Sequence, residues 1–175
     1  MPALTCQIHT LYDTQRLADG VAVWLAACGH SYQTLCLSGD LGAGKSEFCR
    51  QLIQSYYQDM TLEVPSPTFT LVQTYSPNEQ SGGCAECWHM DLYRLQDPEE
   101  VFALGVEDAF IEAACLVEWP EIMGDFWPKR AIMIAIERAE DESRSLHIEA
   151  PDAFIEKLEN QIRNKAPHLL QAIVK

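Results

Sequence analysis

The eight residues Gly39 to Ser46, "GDLGAGKS", constrain this chain more than any other stretch. They fit G-x-x-x-x-G-K-[ST], the pattern of a phosphate-gripping loop. Each part has a physical reason. Gly39, Gly42 and Gly44 let the backbone turn through positive φ and bring its N–H groups close to phosphate oxygens. A helix that opens at Lys45 points its positive end at the same anion. Lys45 supplies a point charge to the β- and γ-phosphates, and Ser46 offers a hydroxyl to Mg²⁺. Asp40, Leu41 and Ala43 complete the loop, and Glu47 follows it. A chance match in a chain of this length is about one in two hundred. The context also fits, because the apolar run "YQTLCL" precedes the loop and the helical pattern "KSEFCRQLIQSYY" follows it. A strand, a loop and a helix in that order commit the chain to an α/β fold built around the loop.

The rest of the pattern agrees. "TCQIHTLY" alternates as a strand does. "DTQRLADGVAVWLAAC" reads as a helix capped by Asp13 or Thr14, with Leu17, Val21, Trp24 and Leu25 inward. "TFTLVQTYS" and "ECWHMDLYRL" are strands around a hairpin loop, "NEQSGG". "DPEEVFALGVEDAF" is a helix capped by Asp97, "AACLVEW" a buried strand, and "RAIMIAIERA" with "RSLHIEA" a closing hairpin. An amphipathic helix is expected over residues 151–165, with Phe154, Leu158 and Ile162 inward. The two hairpins predict a mixed central sheet, and the alternation a three-layer, P-loop NTPase-like sandwich. The 175 residues are expected to form a single domain.

Charge and cysteines narrow the setting. The formal charge is −14, and residues 91–160 carry 18 acids against 6 bases. Such a surface repels a nucleic-acid backbone, so any RNA is reached through a partner or a small patch. No run approaches the ~20 apolar residues of a membrane helix, and the first residues do not read as a signal peptide. The seven cysteines read as free thiols of a cytoplasmic protein. Cys84 and Cys87 form a C-x-x-C with His89 nearby, but no second pair at metal spacing exists.

A phosphate loop needs a carboxylate near its metal. Glu118, closing the apolar "CLVE", and Asp91, closing "CWHMD", both qualify, and the second could position water. "SPTFT" offers Ser66, Thr68 and Thr70 at a distance that suits a switch segment. Trp119 beside Glu118 could cover the site or pack in the core. Arg138 and Arg144 flank the "AEDES" turn, and either could reach a nucleotide.

Taken in order, "GDLGAGKS", "SPTFTLVQTY", "HMDLYRL" with "DPEE", "LGVEDAF" and "LVEWPE" resemble the TsaE family (older name YjeE), bacterial ATPases of tRNA threonylcarbamoyladenosine formation. The resemblance runs from about Asp13 to about Leu146. It implies that residues 42–47 hold the phosphates of ATP or ADP, and that Ser46 and Glu118 bind Mg²⁺. Asp91 would aid hydrolysis at the nucleotide, and Thr68 would belong to a switch-like loop. Thr14 would lie near the base, and Ser143 or Arg144 would make a further nucleotide contact. Trp119 matches a tryptophan that the family places beside the metal-side acid. Weak ATP hydrolysis, the partners TsaD and TsaB, and indirect access to tRNA are implied in the same way. The chain departs from the family at Ser46 and Glu47, where two threonines are usual. Rival readings of the loop alone are a small-molecule kinase, disfavoured by the lack of an arginine-rich lid, and a nucleotide-dependent binding module.

Overall fold

The computed structural model describes residues 2–27, 34–79, 81, 84–128 and 130–174. Tyr32 and Gln33 of "YQTLCL", and Gln80, Gly82 and Gly83 of the expected loop "NEQSGG", lie outside the described residues. At the centre of the fold run four parallel strands, β4 (Cys87–Asp91), β5 (Ala114–Glu118), β2 (Thr34–Ser38) and β6 (Ala131–Arg138). Antiparallel strands extend both sides. β3 (Val72–Tyr75) joins β4, while β7 (Arg144–Glu149), β1 (Ala3–Ile8) and β8 (Leu170–Val174) follow β6. The order of this mixed sheet is β3-β4-β5-β2-β6-β7-β1-β8.

Strand alternation divides the core into two. Leu35 and Leu37, Ala114 and Leu116, and Ile132, Ile134 and Ile136 join one buried cluster with α1 (Leu11–Ala27), α2 (Lys45–Tyr57) and α5 (Asp152–Lys165). The intervening Cys36, Cys115 and Val117 join a second cluster with α3 (Pro98–Phe102), α4 (Val106–Glu112) and Met123 of the 3₁₀ turn Pro120–Met123. The expected inward residues of α1 and α5 are all buried, as are Phe48, Leu52 and Ile53 of α2. Three layers therefore cover the parallel half. Beyond it, β1 and β7 bury Leu4, Cys6, Ile8, Leu146 and Ile148 on one face. Their other face pairs Thr5 with His147 and Gln7 with Ser145, as an antiparallel sheet with one solvated side does.

Four local expectations change. The cap of α1 is Thr10 rather than the expected Asp13 or Thr14: Thr10 Oγ1 accepts from Asp13 N, and Asp13 Oδ2 accepts from the N–H groups of His9 and Thr10. This is a capping box with Asp13 as its acidic arm. The helix expected from Asp97 onward does begin there, with its own capping box to Glu100. It breaks into α3 and α4 at Gly105, which sits at φ +75°. The strand expected from Thr68 starts only at Val72, because Leu71 turns at φ +65° and donates its N–H to Pro67 O. Finally, β8 adds a strand beyond α5. Among the described residues no helix is long and apolar enough to cross a membrane.

Candidate functional site

The parallel strands β2, β4 and β5 end side by side, and their carboxyl ends frame one cavity. Open α/β sheets place ligands at this edge. β2 runs into the glycine loop, which has Gly39 at φ +138°, Gly42 at +79° and Gly44 at +112°. A Cβ on Gly39 would stand 2.3 Å from the carbonyl oxygen of Ile136, so only glycine fits against β6. Around Gly42 a Cβ would meet nothing within 4 Å, and Gly42 itself lines the cavity. Asp40 and Leu41 form its exposed tip.

Lys45 opens α2 and is buried. Its ammonium donates to the carbonyls of Gly39, at 2.6 Å, and Asp40, at 3.0 Å, and lies 3.8 Å from the ring centroid of Trp119. Burial pulls its pKa below the ordinary 10.5, against the opposing pull of Glu118, Asp91, Glu121 and Asp40. Trp119 holds its place over the lysine with a left-handed backbone, φ +58°, and a contact to the ring of Tyr93.

The two candidate acids stand opposite each other in register on β4 and β5. Glu118 Oε2 accepts from Ser46 Oγ at 2.9 Å, and its Oε1 lies 2.8 Å from His89 Nε2. Asp91 Oδ2 accepts from Thr68 Oγ1 at 2.6 Å, and Oδ1 accepts from the N–H of Tyr93. Ser66 links the two acids, reaching Ser46 Oγ at 3.3 Å and Thr68 Oγ1 at 2.9 Å. Ser46 and Thr68 each donate to their own acid, so the single hydrogen of Ser66 serves one of its two neighbours at a time. The cavity between the two acids measures about 240 Å³ and is lined by Gly42, Gly44, Lys45, Ser46, Thr68, Asp91, Glu118 and Trp119 among others.

A smaller recess of about 30 Å³ opens on the other side of Gly44, between Thr14, Glu47 and Arg144. Arg144 Nε donates to Ala43 O, and its Nε would lie 3.1 Å from a Cβ on Gly44. Of the pair Ser143 and Arg144, the fold thus brings Arg144 onto the loop. The Ser143 hydroxyl donates to Asp141 instead. Arg138 pairs with Glu142 at the surface. Glu47 binds Arg50 and Gln51 along its own helix.

Two residues matter more here than their sequence signals suggest. Ser66 reads in sequence as one hydroxyl of three. His89 reads as a companion to the C-x-x-C, yet alternation along "CWHMD" places it on the same strand face as Asp91. The donor atoms of Cys49, His89 and Glu118 lie within 4.8 Å of one another. Burial, first of all, raises the Cys49 thiol well above its ordinary 9.0.

The fold and this edge define a P-loop NTPase-like α/β protein. A family model described as "Threonylcarbamoyl adenosine biosynthesis protein TsaE" matches residues 8–146, and the chain belongs to the TsaE family. A Rickettsia bellii protein named "tRNA threonylcarbamoyladenosine biosynthesis protein TsaE" is 34% identical over 140 residues, 80% of this chain and 93% of that one. A Bacillus subtilis protein of the same name is 35% identical over 127 residues, 72% of this chain and 75% of that one. The crystal structure of Bacillus subtilis YdiB superposes with a TM-score of 0.68 at 26% identity, covering 94% of this chain and 97% of that one.

Proposed function

We propose that this chain binds ATP with Mg²⁺, hydrolyses it weakly, and does so in the cytoplasm for tRNA threonylcarbamoyladenosine formation. It acts there as a partner of TsaD and TsaB and meets tRNA only through them. The names of its relatives support the pathway. The observation that carries the chemistry is the 2.9 Å contact of Ser46 Oγ with Glu118 Oε2 at the mouth of the glycine loop.

The donor set fits the ligands. A serine hydroxyl and a carboxylate are hard oxygen donors, as Mg²⁺ prefers. Bound there, Mg²⁺ would neutralise charge on the β- and γ-phosphates. The loop N–H groups from Gly42 to Glu47 and the start of α2 hold the phosphates. Lys45 supplies positive charge from a buried position, where it counts for more than in water. Asp91, fixed by Thr68 and the N–H of Tyr93, orients the attacking water. Thr68 and Ser66 belong to a segment that can respond to the γ-phosphate. Thr14 and Arg144, flanking the second recess, contact the rest of the nucleotide.

Steady-state ATP turnover tests this reading, measured for the chain alone and with the TsaD–TsaB pair. Turnover should be slow alone, rise severalfold with the pair, and fall about 10²-fold or more in Lys45→Ala. No stimulation by the pair would reject the role in the assembly. Undiminished turnover in Lys45→Ala would reject the site.

A further inference from the structure

We propose that His89 is the positioning residue of the metal-side carboxylate: its Nε2–H holds Glu118 so that Oε2 faces Ser46 and the cavity. This rests on the reading of Ser46 and Glu118 as the Mg²⁺ pair. Neither Glu118 nor His89 has appreciable exposure, at 2% and 0%. Each oxygen of Glu118 therefore depends on a protein donor. Oε2 has Ser46 at 2.9 Å, and Oε1 has His89 Nε2 at 2.8 Å.

The hydrogen-bond pattern assigns the tautomer. A carboxylate only accepts, so the hydrogen sits on Nε2. Nδ1 has no partner among the described residues. A buried, unpaired ring nitrogen disfavours the folded state, and an apolar side chain would avoid that penalty. Packing alone does not account for an imidazole here, whereas a donor to Glu118 does. Metal sites commonly orient a ligand through such an outer hydrogen bond.

The consequence is selective. The phosphates are held by loop N–H groups and Lys45, none of which bonds His89. Losing the Nε2–H frees Glu118 to rotate from Ser46, so Mg²⁺ should suffer and metal-free nucleotide should not.

Calorimetric ADP affinity, measured with Mg²⁺ and again with EDTA, reads this directly. In wild type Mg²⁺ should tighten ADP binding. In His89→Leu that enhancement should drop about 10- to 100-fold, with the EDTA affinity kept. Gln places an amide N–H near the Nε2 position and Asn does not, so His89→Gln should keep most of the enhancement and His89→Asn should lose it. That second pair decides the matter if the leucine variant does not fold. A wild type that responds to Mg²⁺, with Gln and Asn variants that respond alike or with an unaltered His89→Leu, overturns the proposal alone. A wild type indifferent to Mg²⁺ overturns the reading of the Ser46–Glu118 pair and the proposal with it.

Discussion

Gly39 and Gly42 show how one loop uses the same residue for two purposes. At Gly39 the backbone passes the carbonyl of Ile136 so closely that a Cβ would sit 2.3 Å away, at φ +138°. Backbone cannot yield as a flexible side chain can. Gly39→Ala should therefore destabilise the fold by about 3 kcal/mol or more. Gly42 has φ +79° and open space around it, so Gly42→Ala should cost only the left-handed strain, about 1–2 kcal/mol. Urea denaturation compares the two, and equal losses would contradict the close approach at β6. Glu47 resolves in similar terms. A carboxylate beside a phosphate loop is a liability, but Arg50 and Gln51 both donate to it. Arg50 also donates through Nε to Val64 O, at the start of the "PSPTF" segment. The departure from the usual threonine is thus absorbed by a local ion pair.

At the scale of elements, the first turn of α1 gathers more than a cap. Asp13 closes the capping box with Thr10 and also lies 2.9 Å from His168 Nε2, in the short turn after α5. Burial pushes the Asp13 carboxyl up, but the bonds from His168, His9 and Thr10 outweigh it and hold the pKa below the ordinary 3.8. A carboxyl lowered in the folded state stabilises it above pH 3.8, and that contribution fades as pH falls through the lowered value. Asp13→Ala should thus cost about 1–2 kcal/mol at pH 7, with the gap to wild type closing at acid pH. Denaturation curves at the two pH values measure it, and a constant gap would exclude an ionic origin. The same turn shows the reach of sequence reading. Thr10, Asp13 and Thr14 are all cap-forming residues within one turn, so periodicity located the helix but not its first residue. Gly105 was likewise compatible with a continuous helix or a break, and the fold chose the break. β8 pairs with β1 across nearly the whole chain, a partnership that no local pattern announces. Apolar stripes and strand alternation, which depend only on neighbours a few residues apart, were legible throughout.

At the scale of the whole molecule, the site is an edge shared by β2, β4 and β5. The loop and Glu118 were visible in sequence because each carries a local signature. The Glu118–His89 and Asp91–Thr68 contacts were not, since the first depends on the pairing of β4 with β5 and the second on the turn that precedes β3. The same scale governs what this surface can bind. The chain carries a formal −14 with a pI near 4.6, and residues 91–160, which span β4 to α5, hold most of that excess. Around the cavity the field is acidic as well, from Asp91, Glu118, Glu121 and Asp40. Phosphate on a small nucleotide can be met by Lys45 and loop N–H groups at contact distance. A tRNA backbone spreads its charge over tens of ångströms and meets the repulsive exterior instead. The chain alone should therefore bind tRNA weakly, with a Kd of roughly 10⁻⁴ M or higher at physiological salt. Because only 12 lysines and arginines stand against 26 acids, few counterions are released and log K should change little with log salt. Fluorescence anisotropy of labelled tRNA across a salt series measures both quantities. Tight binding that collapses steeply with added salt would place a basic tRNA surface on this chain and remove the need for partners to carry it.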